Sequence, residues 1–268
     1  MAGLKTLIAG AGVAGVVGVA VFTGVGSDQT RHTEEARVVA DSGYELCLKN
    51  DIPFFEDVKS GCYSSSELAH LMDARVVDRQ NDVISMEMSD PSDSHMPTAR
   101  CETCRQYQEM RWEGWYALTS RDQRREAFFL RACGTLRMLI KAKPAAASYF
   151  SGGSPDSDEI LLLQRTAPFA ITESENLELA GESEPEAKEE DGLIESERPY
   201  EWRLRSNGQL ILIQELANAD FDDDEIEEIL AFSAVRLRDG TAVSYGVGLF
   251  QKDSTEAPLV FIPLDFAH

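Results

Sequence analysis

Apolar residues are distributed along this chain in three different ways. Leu7 to Gly26 reads LIAGAGVAGVVGVAVFTGVG, twenty residues without a charge. That matches the roughly 20 residues a helix needs to cross a bilayer. Lys5 and the chain amine precede it, so by the positive-inside rule the chain beyond Gly26 faces out. The pattern predicts a signal peptide or membrane anchor over 1–26. From about residue 34 to 145 apolar positions return at helical spacing. Ser64-x-x-Glu67 is a capping box ahead of Leu68, Leu71, Met72 and Val76 on one face. Ser120-x-x-Gln123 opens a longer run through Phe129, Ala132, Cys133, Leu136, Met138, Leu139 and Ile140. Arg124, Arg131, Arg137 and Lys141 line its other side, and Pro144 ends it. Tyr107, Met110, Trp112, Trp115, Tyr116 and Leu118 supply bulk for a core. These signals predict a bundle of three or four helices.

From 199 to 268 the period falls to two. Trp202 and Leu204 alternate with charged residues, and Asn207-Gly208 is a strong hairpin signal. Leu210–Ile213 returns, Ile229–Leu237 is a third strand, and Asp239-Gly240 marks a second turn. Val243, Tyr245, Val247 and Leu249 form a fourth strand, and Leu259–Leu264 a fifth. The reading is a five-stranded antiparallel meander with one buried face. The intervening 146–198 opens on the breaker cluster Ser151-Gly152-Gly153-Ser154-Pro155 and turns Glu-rich. Within it Ile160–Leu163 is a short apolar run that reads as a strand or helix packed on a neighbour, whereas Glu173–Glu197, poor in large apolar residues, is expected to be disordered.

Together these give an α+β chain. Its parts are an N-terminal signal or membrane helix (1–26), a small disulfide-bearing helical domain (34–145), a disordered acidic linker (146–198) and an antiparallel β domain (199–268).

Charge adds polarity to this layout. The net charge is −22, which argues against nucleic-acid partners because phosphates would be repelled. Glu173–Glu197 and Asp220–Glu228 carry most of it, whereas 105–143 is net basic. Gly10-Ala11-Gly12-Val13-Ala14-Gly15 spells G-x-G-x-x-G. A dinucleotide site needs a strand and an amphipathic helix around that motif, and neither pattern is present.

All five cysteines lie between 34 and 145: Cys47, Cys62, Cys101, Cys104 and Cys133. Outside the cytoplasm such a set points first to disulfides, whose pairing sequence cannot choose. Cys101-Glu102-Thr103-Cys104 also has the spacing of a thiol–disulfide redox pair, but no thioredoxin-like βαβ pattern surrounds it. Arg105 stands where a haem-attachment motif needs His, and half a zinc site would need two further ligands.

One stretch carries candidate metal chemistry. Asp220-Phe221-Asp222-Asp223-Asp224-Glu225-Ile226-Glu227-Glu228 places acids at positions 1, 3, 5 and 9. Over about eleven residues it resembles the D-x-D-x-D-G-x-x-D calcium loop of FG-GAP-type repeats, in which those carboxylates gather hard oxygen ligands. The resemblance implies calcium as the one cofactor and Asp220, Asp222, Asp224 and Glu228 as its ligands. Glu225 replaces the glycine that makes the loop's sharp turn.

The expected product is an exported or membrane-tethered protein, periplasmic or cell-surface. It binds or scaffolds an unidentified protein or envelope component, touches the membrane through residues 7–26, and is not an enzyme. Two alternatives stand beside it: a thiol–disulfide oxidoreductase using Cys101 and Cys104, and a calcium-dependent surface module.

Overall fold

A computed structural model describes residues 44–56, 58–78, 80–92, 98–166, 193–206, 208–237 and 243–266. The apolar run 7–26 and the Glu-rich stretch up to residue 192 lie outside them. Among the described residues no helix is long and apolar enough to cross a membrane.

In chain order the elements begin with β1 (Glu45–Leu48), β2 (Gly61–Ser64), α1 (Ser65–His70), β3 (Met86–Ser89) and β4 (Thr98–Cys101). They continue with α2 (Cys104–Trp112), β5 (Tyr116–Ala117), α3 (Ser120–Lys141), α4 (Ser157–Thr166) and β6 (Leu193–Arg198). The last are β7 (Glu201–Ser206), β8 (Gln209–Ala219), β9 (Glu228–Leu237), β10 (Val243–Gln251) and β11 (Val260–Pro263).

The structure corrects the expected α+β layout: the described chain is mostly β, and the helical bundle does not form. Within 34–145 only α3, at 22 residues, is long. α1 and α2 have 6 and 9 residues and alternate with five strands. Ser64 and Glu67 do make the reciprocal capping box at the start of α1. A cap fixes where a helix starts, however, and not how far it runs. At α3 the capping side chain is Thr119, accepting from Asp122 N–H one residue before the expected cap. The linker expectation is corrected where it can be seen, because Leu193–Arg198, overlapping the stretch expected to be disordered, forms β6, whereas the apolar run Ile160–Leu163 falls within the helix α4. Trp112, expected in the core, is 89% exposed.

The five C-terminal strands pair consecutively and antiparallel, as their alternation implies, but inside an eight-stranded sheet. β8 organises it. One edge of β8 pairs along its length with β9. The other edge is shared, its first half by β7, which also pairs with β6, and its end by β1, which pairs with β2. A second, three-stranded sheet has the order β4-β3-β5.

A bulge between Glu215 and Ala217 resets the phase of β8. An extra residue in one strand lets its two halves present different side chains to the same face. The sheet is covered on both sides. Phe129, Ala132, Leu136 and Leu139 of α3 pack with Leu230, Phe232, Val247 and Leu249 on one face, joined by Leu46, Phe54 and Leu68. Phe150 with Ile160 and Leu163 of α4 packs on Trp202, Leu204, Ile211, Ile213 and Phe250 on the other. The expectation of a single buried face is therefore also corrected. The described residues all fall in one compact unit, in which the N-terminal elements and the C-terminal strands share a core.

Two polar and steric ties lock the layers. The Lys49 ammonium donates to Glu215 Oε2 and to the Gly153 carbonyl, each at 2.6 Å, and to Ser154 Oγ at 3.1 Å. It thereby pins the 151–154 turn to the sheet and compensates a fully buried carboxylate. Near the chain end, Phe266 packs where Gly134 of α3 has no side chain; a Cβ there would lie 2.2 Å from the ring.

Candidate functional site

The sheet face shared with α3 is not completely filled. Leu210, Leu212 and Gln214 alternate with Ile211 and Ile213, so the apolar run of β8 serves both faces. Strand register then builds rows of neighbours. Arg203 of β7 faces Leu212, Leu212 faces Ala234 of β9, and Ala234 faces Tyr245 of β10. In the adjoining rows Leu210 faces Arg236, and Gln214 faces Phe232. Ala234 is the small member in the middle of this patch. The larger side chains around it enclose a groove of about 390 Å³, closed at one side by Pro53, Phe54 and Phe128. That volume falls at the lower end of the range for small-molecule sites.

Aromatic packing sets the wall. Phe54 meets Phe128 edge-on with centroids 5.4 Å apart, and Phe232 likewise at 5.5 Å. Phe232 stacks on Tyr245 at 6.0 Å. Edge-to-face and offset arrangements are the favourable ones for aromatic quadrupoles, so the wall is held in one geometry. The polar members of the lining are Arg203, Gln214, Arg236 and Tyr245. Arg203 Nε donates to Glu201 Oε1 at 2.9 Å, and Gln214 Nε2 donates to Glu201 Oε2 at 3.0 Å. No Asp, Glu, His, Cys or Ser lines the groove among the described residues.

Sequence reasoning missed this site. Its one legible signal was the uninterrupted apolar run Leu210–Ile213, which fits a strand covered on both faces better than a half-exposed one.

A second concavity, about 480 Å³, sits at the start of α3 between Arg100, Arg121, Arg125 and Asp122. Two of its cations are already engaged: Arg100 with Glu102, and Arg125 with the Ser85 carbonyl and Asp122.

The acidic loop comes directly after β8. One carboxylate oxygen each from Asp220, Asp222 and Asp224 lies within 4.8 Å of the others, a spacing one cation could bridge. Glu228, the fourth expected ligand, opens β9 beside them and is 2% exposed. These carboxylates also brace the loop itself. Asp220 accepts from the N–H groups of Asp223 and Glu225, Asp224 from that of Ile226, and Glu228 from that of Phe221. Backbone bonds from Lys143, Ala146 and Ala147 clamp the loop from outside, and Lys143 Nζ lies 2.7 Å from Asp223.

Glu225 takes φ +69°, so the sixth position does make the left-handed turn for which glycine is the usual residue. A side chain in that conformation costs about 1 kcal/mol. Crowding has an electrostatic consequence. Burial, then the charges of Asp222, Asp224 and Asp220, push the Glu228 carboxyl up to about 7 against the pull of the Phe221 N–H. Burial and the Asp224 and Asp220 carboxylates raise Asp222 as well.

The cysteines resolve into two disulfides and one thiol. Cys47 and Cys62 are directly opposed on β1 and β2 and bonded to each other. Cys104, at the start of α2, is bonded to Cys133 of α3. Cys101 and Cys104 are thus not bonded to each other. Cys101 is buried, and desolvation pushes its thiol up to about 12, the opposite of what thiolate chemistry needs.

Comparison with known protein families, with curated proteins and with solved structures found no match.

Proposed function

We propose that this is an extracytoplasmic binding protein, without catalytic activity, that holds an apolar ligand in the groove between β7–β10 and Phe54. The groove carries this reading. It is a pre-formed concavity lined mainly by apolar side chains, and among the described residues no Asp, Glu, His, Cys, Ser, Thr or Lys lines it. Two disulfides support the compartment, because such bonds persist in oxidising surroundings. The uncharged run 7–26 after Lys5 supplies the route out, as a cleaved signal or as a tether.

The test has two parts. The neutral, environment-sensitive dye N-phenyl-1-naphthylamine should brighten on binding the purified protein. Leu212→Lys, which puts an ammonium on the groove face, should remove that response while the circular dichroism spectrum stays unchanged. Equal brightening by the folded variant would sink the groove reading. Deleting residues 2–26 should leave the protein in the cytoplasmic fraction, and export of the truncated chain would sink the address.

A further inference from the structure

We propose, on the assumption that the groove is the binding site, that its ligand is a small amphiphilic anion: an apolar chain ending in one carboxylate, the chemistry of a fatty acid. Arg236 carries the argument. It lines the groove from β9, and its cross-strand neighbours there are Leu210 and Val243, both apolar. Among the described residues it makes no ion pair, in a chain where 47 acids outnumber 25 bases. Arg236 is exposed and so accessible to a ligand, and a guanidinium binds a carboxylate in a two-pronged, planar geometry.

The other groove cation is already matched. Arg203 is neutralised by Glu201, and the same carboxylate occupies the amide of Gln214. Among the described residues one unmatched positive charge therefore remains at the groove, which suits one negative charge on the ligand.

The floor defines the rest of the ligand. Leu212, Ala234, Phe232 and the Tyr245 ring offer an apolar, aromatic surface. A molecule lying there gains about 25 cal/mol for each Å² of apolar surface removed from water. The carboxylate alone does not suffice. The net charge of −22 repels free anions, so burial of the apolar chain must supply most of the affinity and Arg236 the selection of headgroup.

Calorimetric titration of the full-length protein with decanoate, decan-1-ol, decyltrimethylammonium and acetate tests this. Decanoate should bind most tightly, decan-1-ol about tenfold or more weaker, and the cation and acetate not measurably. Arg236→Gln should bring decanoate down to the level of decan-1-ol and leave decan-1-ol unchanged. Ala234→Leu, which fills the centre of the groove, should abolish both while the protein keeps its thermal transition. Equal binding of decanoate and decan-1-ol, unaffected by Arg236→Gln, overturns the headgroup assignment and leaves the groove standing. Failure of every decyl probe to bind overturns the groove itself. Sedimentation then identifies the occupant: a dimer that Leu212→Lys converts to monomer gives this face to a second copy of the chain.

Discussion

Glu228 shows how one residue can tie the acidic loop to the stability of the fold. Its carboxyl is almost fully buried, it faces three other acids, and it is raised from 4.5 to about 7. A carboxyl with a raised folded-state value binds its proton more tightly folded than unfolded. The resulting stability is present in full below about pH 4.5 and is lost as pH rises through 7. At about 1.4 kcal/mol per unit the loss is on the order of 3 kcal/mol. Burial raises Glu215 too, and Asp222 is raised, so their contributions run in the same direction. Urea denaturation in the presence of a chelator should therefore show lower stability at pH 8 than at pH 5. Glu228→Gln should flatten that slope in part and make the protein more stable at pH 8. A steeper slope, or none in either protein, would show that the carboxyl is not held protonated. The acid spacing was legible in the sequence. That Asp220, Asp224 and Glu228 spend oxygens on backbone N–H groups was not, because it depends on how segment 143–147 clamps the loop.

At the scale of elements, the two disulfides differ in placement. Cys47 and Cys62 lie on exposed positions of a two-stranded edge, whereas Cys104 and Cys133 are 0% and 3% exposed between two helices. Thiol–disulfide exchange needs a thiolate to reach a sulfur, so access orders their reactivity. A mild dithiol under native conditions should open Cys47–Cys62 first and leave Cys104–Cys133 intact until the protein unfolds. Cys101 should resist alkylation until the same point. Mass spectrometry of alkylated peptides reads all three, and early labelling of Cys104 or Cys101 would contradict the packing described. Each bridge closes a loop of tens of residues or fewer, worth roughly 3 to 4 kcal/mol in the chain-entropy account. The cysteine set was legible in the sequence. The pairing was not, because Cys47 meets Cys62 only through strand register, and Cys104 meets Cys133 only where α2 crosses α3.

For the whole molecule, the shared core predicts how the chain divides. Strands β8–β10 bury one face against residues drawn from 46–139, and β1 pairs with the end of β8. A fragment of residues 199–268 would expose that face and an unpaired strand edge. It should show no cooperative thermal transition, while a chain from Tyr44 to His268 should unfold in one step. Independent folding of the fragment, monitored by circular dichroism, would show that the two halves stabilise themselves separately.

Sequence alone determined what rests on near neighbours. The period-two alternation of 199–268 named five strands, Ser64 and Glu67 set the start of α1, and the cysteine set announced disulfides. Each is decided within a few residues, by side-chain direction or by the unsatisfied amides of a helix end. Tertiary structure alone decided what rests on distant partners. It sent the 45–64 hairpin to the edge of β8, halted the helical pattern of 64–76 after two short turns, and covered both sheet faces. It also opened the groove, whose walls come from residues as far apart as Phe54, Leu212 and Tyr245. A short apolar run fits a helix face or a strand equally well, and only the partner it finds across the chain chooses between them.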